Sequence, residues 1–292
     1  GVTGVQTCAL PIFQLRWLEF ARGATGWTNS AGTYIPISNI DAFSLNRYLL
    51  MFKGYAVDER LIYAFALFGT SNSGINTGVA PIGMAGWRFG EAATVGAGVT
   101  IVPGSREFID GSPWTLGVDR SMANTFFRPG YSPGVSAIGT IGDGSLHYQA
   151  GVWNSIDAGG ANVILRRGTS MAWAGNMWWE PLGPFGLGLS DMEHHADPVV
   201  RFGTTGVTAP NTRALPVPGF NPENTIVRLS DGTPLAAKGA LVPDASVDSF
   251  KFRLATVDAA WKWRGVSASA EYYVRSLDGF TFAPITPPPA VP

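Results

Sequence analysis

From Ser44 onward, hydrophobic residues recur at every second position in short runs, and each run is closed by Gly, Pro or Asn. A period of two is the strand signal, whereas a helix face would recur every three to four residues. In Val266 to Arg275, Val266, Ala268, Ala270, Tyr272 and Val274 fall on one face, and Ser267, Ser269, Glu271, Tyr273 and Arg275 on the other. Val95, Ala97, Val99 and Ile101 oppose Thr94, Gly96, Gly98 and Thr100, and Leu146, Tyr148, Ala150 and Val152 oppose Ser145, His147, Gln149 and Gly151. The chain is 46% apolar and only 14% charged, where a soluble domain carries about a quarter charged residues. Yet no apolar run approaches the roughly 18 to 20 residues of a membrane-spanning helix; the longest is Leu61 to Phe68. Apolar material cut into alternating pieces suits either a sandwich with a large core or a barrel that meets lipid on alternate positions.

Turn spacing separates the two. Tight connections fall at Gly90-Glu91, Gly142-Asp143-Gly144 and Arg264-Gly265, and long irregular stretches run over Pro103–Ser132, Ser155–Gly168 and Thr208–Val247. Short turns alternating with long loops are the asymmetry of outer-membrane barrels. Trp87 and Phe89 precede the turn at Gly90, Trp261 and Trp263 the turn at Arg264, and Trp179 the Pro/Gly-rich connection starting at Glu180, all at the short-turn end and away from the polar face. Indole rings gather at a membrane interface because the ring is apolar while its N–H needs a wet partner, so these five form the candidate girdle.

Keeping the long loops on one side makes Glu180–Asp197 a connection, despite the strand-like Phe185, Leu187 and Leu189. About ten spanning strands follow: 44–56, 61–71, 80–89, 93–102, 133–141, 145–154, 168–179, 197–207, 248–263 and 266–277. The ninth switches the face of its charges between Arg253 and Asp258, which a β-bulge near Thr256 would explain. The fold class expected is therefore all-β, an antiparallel transmembrane barrel, incomplete over residues 44–277. Residues 13–43 carry no clear assignment, and 278–292 read as a severed loop. Residues 2–12 match the translation of a common short-read sequencing adapter, so 1–12, with Cys8, are expected to be an artefact rather than fold. The true start is expected to be missing, so the lack of a signal peptide in this sequence carries no meaning.

Net charge of −1 offers no basic face for nucleic acid. The single cysteine excludes a disulfide framework. His194 and His195 are adjacent, so in extended chain they point apart and make poor joint metal ligands; no H-E-x-x-H helix exists. No G-x-S-x-G, P-loop or dinucleotide glycine pattern is present. Neither an enzyme nor a cofactor or metal site is expected.

Asp119-Arg-Ser-Met-Ala-Asn-Thr-Phe-Phe-Arg-Pro-Gly-Tyr131 resembles the phosphate-selective porin O/P family, as do Gly151–Ser155, Val200–Gly203, Pro222–Leu235 and Val257–Gly265. The resemblance spans most of 44–277. It implies an outer-membrane channel of roughly sixteen strands, wide enough for water, assembled as a homotrimer. It also implies a pore-narrowing loop, here carrying Arg106, Arg120 and Arg128 together with Glu107, Asp110 and Asp119. The pore-lining candidates are Ser145, His147, Gln149, Asp258, Lys262, Ser267, Ser269, Glu271 and Arg275. Members of the family owe anion preference to a dense basic ladder; the mixed signs here point instead to general diffusion of small polar or ionic solutes. A non-conducting barrel for adhesion and a soluble β-rich binding domain are the alternatives.

Overall fold

The structure, a computed structural model, describes residues 5–69, 79–111, 114–117, 119–157, 170–213 and 227–284. Eleven antiparallel strands form one sheet in the order β1-β4-β5-β6-β7-β8-β9-β10-β11-β12-β13. These are β1 Val5–Phe20, β4 Ile40–Ala56, β5 Asp58–Gly69, β6 Val79–Arg88, β7 Thr94–Ile101, β8 Tyr131–Ile141, β9 Leu146–Trp153, β10 Ala172–Trp179, β11 Val199–Arg213, β12 Ala245–Trp263 and β13 Val266–Pro284. A separate hairpin, β2 Gly26–Thr28 with β3 Tyr34–Pro36, sits between β1 and β4. Apart from that hairpin, sequence neighbours pair throughout. The meander arises because the connections β4–β5, β6–β7, β8–β9 and β12–β13 at the short-turn end are too short for a crossover, the 180–198 connection being the exception.

All ten strands expected from the period of two are found; positions 70–71 and 168–169 of that expectation lie outside the described residues. Glu180–Asp197 carries no strand. The largest departures from expectation lie at the rims and at the first strand. β13 continues to Pro284, where 278–292 was expected to be loop throughout, since it keeps pairing with β12 through Ala245↔Pro284. β11 runs to Arg213 rather than 207, with Ala209 and Thr212 buried on the inner face. An eleventh strand, β1, occupies residues 5–20 and pairs with β4. Its alternation begins at Phe13: Phe13, Leu15 and Trp17 are exposed, Gln14, Arg16 and Leu18 half-buried, while residues 5–11 are exposed without alternation.

The bulge expected near Thr256 is absent. Pairing of β12 with β13 is continuous from Lys251 to Trp263, and the register shifts lie between Val247 and Lys251. Arg253 simply faces outward near the long-loop end, where it pairs with Asp278 at 3.1 Å. The inner face there is apolar instead of charged: Phe250, Phe252 and Leu254 join Val102, Trp153, Val207 and Leu235 in the main buried cluster. Loop residues supply part of that cluster, so the long loops fold inward over the strands.

The sheet is strongly curled. Strands lie roughly 4.8 Å apart, so eleven laid flat would separate the edge strands by nearly 50 Å. One loop nevertheless reaches both edges: Asp119 pairs with Arg16 of β1, and the Arg106 N–H donates to Glu271 of β13 at 2.6 Å. The strands therefore form a trough around the loop. Among the described residues no ladder joins β1 to β13.

Candidate functional site

Cross-strand register assigns the two faces of the trough. Residues paired across antiparallel strands share a face. One such row runs Leu61, Trp87, Val95, Ala137, Ala150, Gly175, Gly206, Ala255, Val274 over nine strands without a polar side chain. A neighbouring row on the opposite face runs Thr140, His147, Trp178, Gly203, Asp258, Glu271. The next on that face is Gln149, Asn176, Thr205, Thr256, Tyr273. The apolar face is outward and the polar face lines the trough.

All five girdle candidates carry outward positions near the short-turn end. Phe89, Trp179 and Trp263 are exposed, and Trp87 and Trp261 half-buried. The Trp263 Nε1–H donates to the Ala196 carbonyl at 3.1 Å, and Arg264 lies over its ring. Arg60 lies over Trp87. A second set stands at the other end: Trp17, Phe43 and Trp173 are exposed near the long-loop rim, with Trp17 Nε1–H donating to Asp41 at 2.7 Å. Aromatic residues thus stand at both ends of the outward face; Trp17 was not legible because β1 had no strand assignment. Trp178 belongs to neither set. It follows Trp179's neighbour rule in reverse: adjacent strand residues face opposite ways, so only Trp179 can look outward.

The loop between β7 and β8 fills the trough. It contains two short helices, α1 Arg106–Ile109 and α2 Met122–Phe127, capped by Ser105 and Ser121, whose hydroxyls accept from Phe108 N at 3.2 Å and Asn124 N at 3.1 Å. Such caps satisfy the orphan N–H groups of a helix start. Asn124 donates to the Ser105 hydroxyl and so ties one helix to the other. All six constriction candidates sit here. Arg106 is almost fully buried; its guanidinium donates to Asn176 Oδ1 at 2.8 Å, stands 3.5 Å from Asp258 and 3.7 Å from Asp110, and lies over the Trp178 ring. Burial pulls its pKa below the ordinary guanidinium value, with Asp110 opposing. Asp110 takes a second bond from Arg201 of β11 at 2.7 Å. Glu107 accepts from Ser121 through its N–H at 2.9 Å and its hydroxyl at 2.7 Å. Arg120 and Arg128 both pack over the Phe108 ring. Asp119 accepts from Arg47 at 2.6 Å and Arg16 at 3.2 Å. Burial works to raise its carboxyl, but Arg47 and Arg16 outweigh it and hold the group below the usual carboxylate range.

Several pore-lining candidates turn out to be anchors. Lys262, expected to line a pore, is fully buried and donates to the carbonyls of Phe185 and Leu187 at 2.9 and 3.1 Å, pinning the 180–198 connection inside the short-turn end. Arg275 donates to the Phe126 carbonyl and lies over Phe126 and Phe127, holding α2 against β13. Ser145 lies in the turn before β9, where its N–H donates to Asp143. His147 stacks on Trp178 at 4.9 Å and stands 3.7 Å from Glu180. Gln149, Asp258, Ser267, Ser269 and Glu271 keep trough-facing positions.

His195 meets Asp191 at 2.6 Å, and Asp191 also accepts from the Gly265 N–H at 2.7 Å. Burial tends to raise this carboxyl, but the bonds from His195 and Gly265 outweigh it and hold it down at about 2. The pair clips the 180–198 connection to the β12–β13 turn. Among the described residues no group of three or more metal-type side chains converges, and no helix is long and apolar enough to cross a membrane.

Sequence reasoning missed Arg16, Arg47, Asn176, Trp178 and Arg201. Their signal was a polar or doubled aromatic residue at an inward position of a strand, and its meaning depends on the loop that meets it. No family model, curated protein or solved structure matches the chain.

Proposed function

We propose that the protein is a wall of an outer-membrane β-barrel that conducts small polar or ionic solutes. The observation that carries this is the division of faces: an apolar row unbroken over nine strands and bordered by aromatic residues outside, polar rows around an inserted loop inside. Lipid demands the first, and an aqueous lumen the second. A soluble sandwich would bury that apolar row against a second sheet, and the only other sheet among the described residues is the hairpin β2–β3. In lipid the free edges of β1 and β13 need further strands, from this polypeptide or another, because an unpaired edge costs several kcal/mol per group.

A non-conducting barrel used for adhesion is favoured by one observation: Arg106, Lys262 and Arg275 are spent on holding loops and not presented to water. Planar bilayers separate the readings. Reconstituted together with the strands that complete the barrel, the protein is expected to give stepwise ion currents, and reversal potentials in a salt gradient then report the sign preferred. Tight membrane insertion with no current would overturn the channel and leave the adhesive barrel; extraction into buffer without detergent would overturn both.

A further inference from the structure

We infer that the cavity between the inserted loop and strands β12–β13 binds an organic cation of the primary-ammonium class. This deepens the channel reading and rests on it for its role, as a station on the solute path. The cavity holds about 450 Å³, and its wall carries four carboxylates, Glu107, Asp119, Asp258 and Glu271, against one cationic side chain, Arg106.

Only Asp119 is matched by cations behind the wall, Arg16 and Arg47. Glu107 is met by the neutral donors of Ser121. Glu271 accepts the Arg106 backbone N–H and the Tyr273 hydroxyl at 2.7 Å, again neutral. The Asp258 side chain is 3% exposed, neither of its oxygens has a hydrogen-bond partner, and its contact with Arg106 is 3.5 Å. Arg106 is shared with Asp110 and Asn176, and Arg201 is committed to Asp110. One guanidinium thus lines the cavity with three carboxylates that no second cation pairs, and that negative excess draws in a cation.

The class of cation follows from the rest of the wall. Leu116, Ala123, Leu189 and Ala260 separate the carboxylates, and no metal-type cluster converges among the described residues. The volume far exceeds that of a bare ion. An alkylammonium fits both halves of the surface: N–H donors for the carboxylates, methylenes for the Leu and Ala side chains.

Calorimetric titration of the detergent-folded protein tests this with n-butylammonium chloride, n-butanol and sodium butyrate, three solutes of similar shape and different charge. Butylammonium is expected to bind at least about tenfold more tightly than either. Asp258→Asn and Glu271→Gln should each weaken it about tenfold, and Asp231→Asn, on a distant loop, should not. Equal binding of all three solutes overturns the inference without any variant, as does unchanged affinity in both Asp258→Asn and Glu271→Gln. Calcium competing for the site more tightly than butylammonium overturns the organic class. Protein that conducts ions but binds no butylammonium sinks the site alone; protein that binds it but never conducts sinks the channel reading alone.

Discussion

Replacing Arg106 by methionine is expected to unfold the interior of the trough while leaving its apolar outer face intact. Methionine keeps the length of the side chain and its packing on Trp178 but removes the charge. Arg106 is almost fully buried and its side chain ties the loop to two strands, β10 through Asn176 at 2.8 Å and the Trp178 ring, and β12 through Asp258 at 3.5 Å. Removing one partner from a buried charge pair costs about 3–5 kcal/mol, because the other charge is left uncompensated. The two carboxylates around Arg106 differ in what they lose. Asp110 retains Arg201 at 2.7 Å, whereas Asp258 retains no hydrogen-bond partner and only the more distant charge of Arg201. Adding Asp258→Asn to Arg106→Met should therefore recover about 1–3 kcal/mol by removing the orphan charge. Adding Asp110→Asn should recover nothing, since it orphans Arg201. Urea unfolding of detergent-folded protein, followed by tryptophan fluorescence, reads all four proteins. A released loop would also widen the trough, so single-channel conductance should rise in Arg106→Met. A loss below about 1 kcal/mol, or rescue by Asp110→Asn equal to that by Asp258→Asn, would refute the assignment of Arg106 as the loop's central tie.

Brominated lipids should quench the outward tryptophans: Trp179→Phe and Trp263→Phe should each remove quenchable fluorescence, and Trp153→Phe and Trp178→Phe should remove almost none. The Asp191 clip has a definite acid limit. Its carboxyl lies at about 2 in the fold against 3.8 when unpaired, so its contribution is present above about pH 4 and is lost as pH falls toward 2. Limited proteolysis should begin to cut the 180–198 connection across that interval, and Asp191→Asn should make it susceptible at neutral pH as well. Gly203→Ala should cost about 1–3 kcal/mol in the same urea assay, because an added Cβ would fall 2.2 Å from Asp258 Oδ2; a neutral result would mean that Asp258 does not lie across the β11 backbone.

The sequence by itself determined the sheet and its faces. A period of two leaves one face apolar and one polar whatever the neighbouring strands do, and Gly-containing connections too short for a crossover force adjacent strands to pair antiparallel. Strand length at the rims was less legible. β11 and β13 outrun their expected ends, and β1 escaped notice, because pairing with a partner strand sustains extension where the local pattern fades. Only tertiary structure decided what the inner face does. Lys262, Arg275 and Glu271 were legible as inward-facing charges, but whether such a charge meets water or a loop depends on chain that is far away in sequence. The β7–β8 loop folds into the trough and takes Arg106 to Asp258 and Glu271, across more than half the chain. Burial by a distant partner leaves no periodic trace, so the polar contacts of the site had to wait for the fold that brings them together.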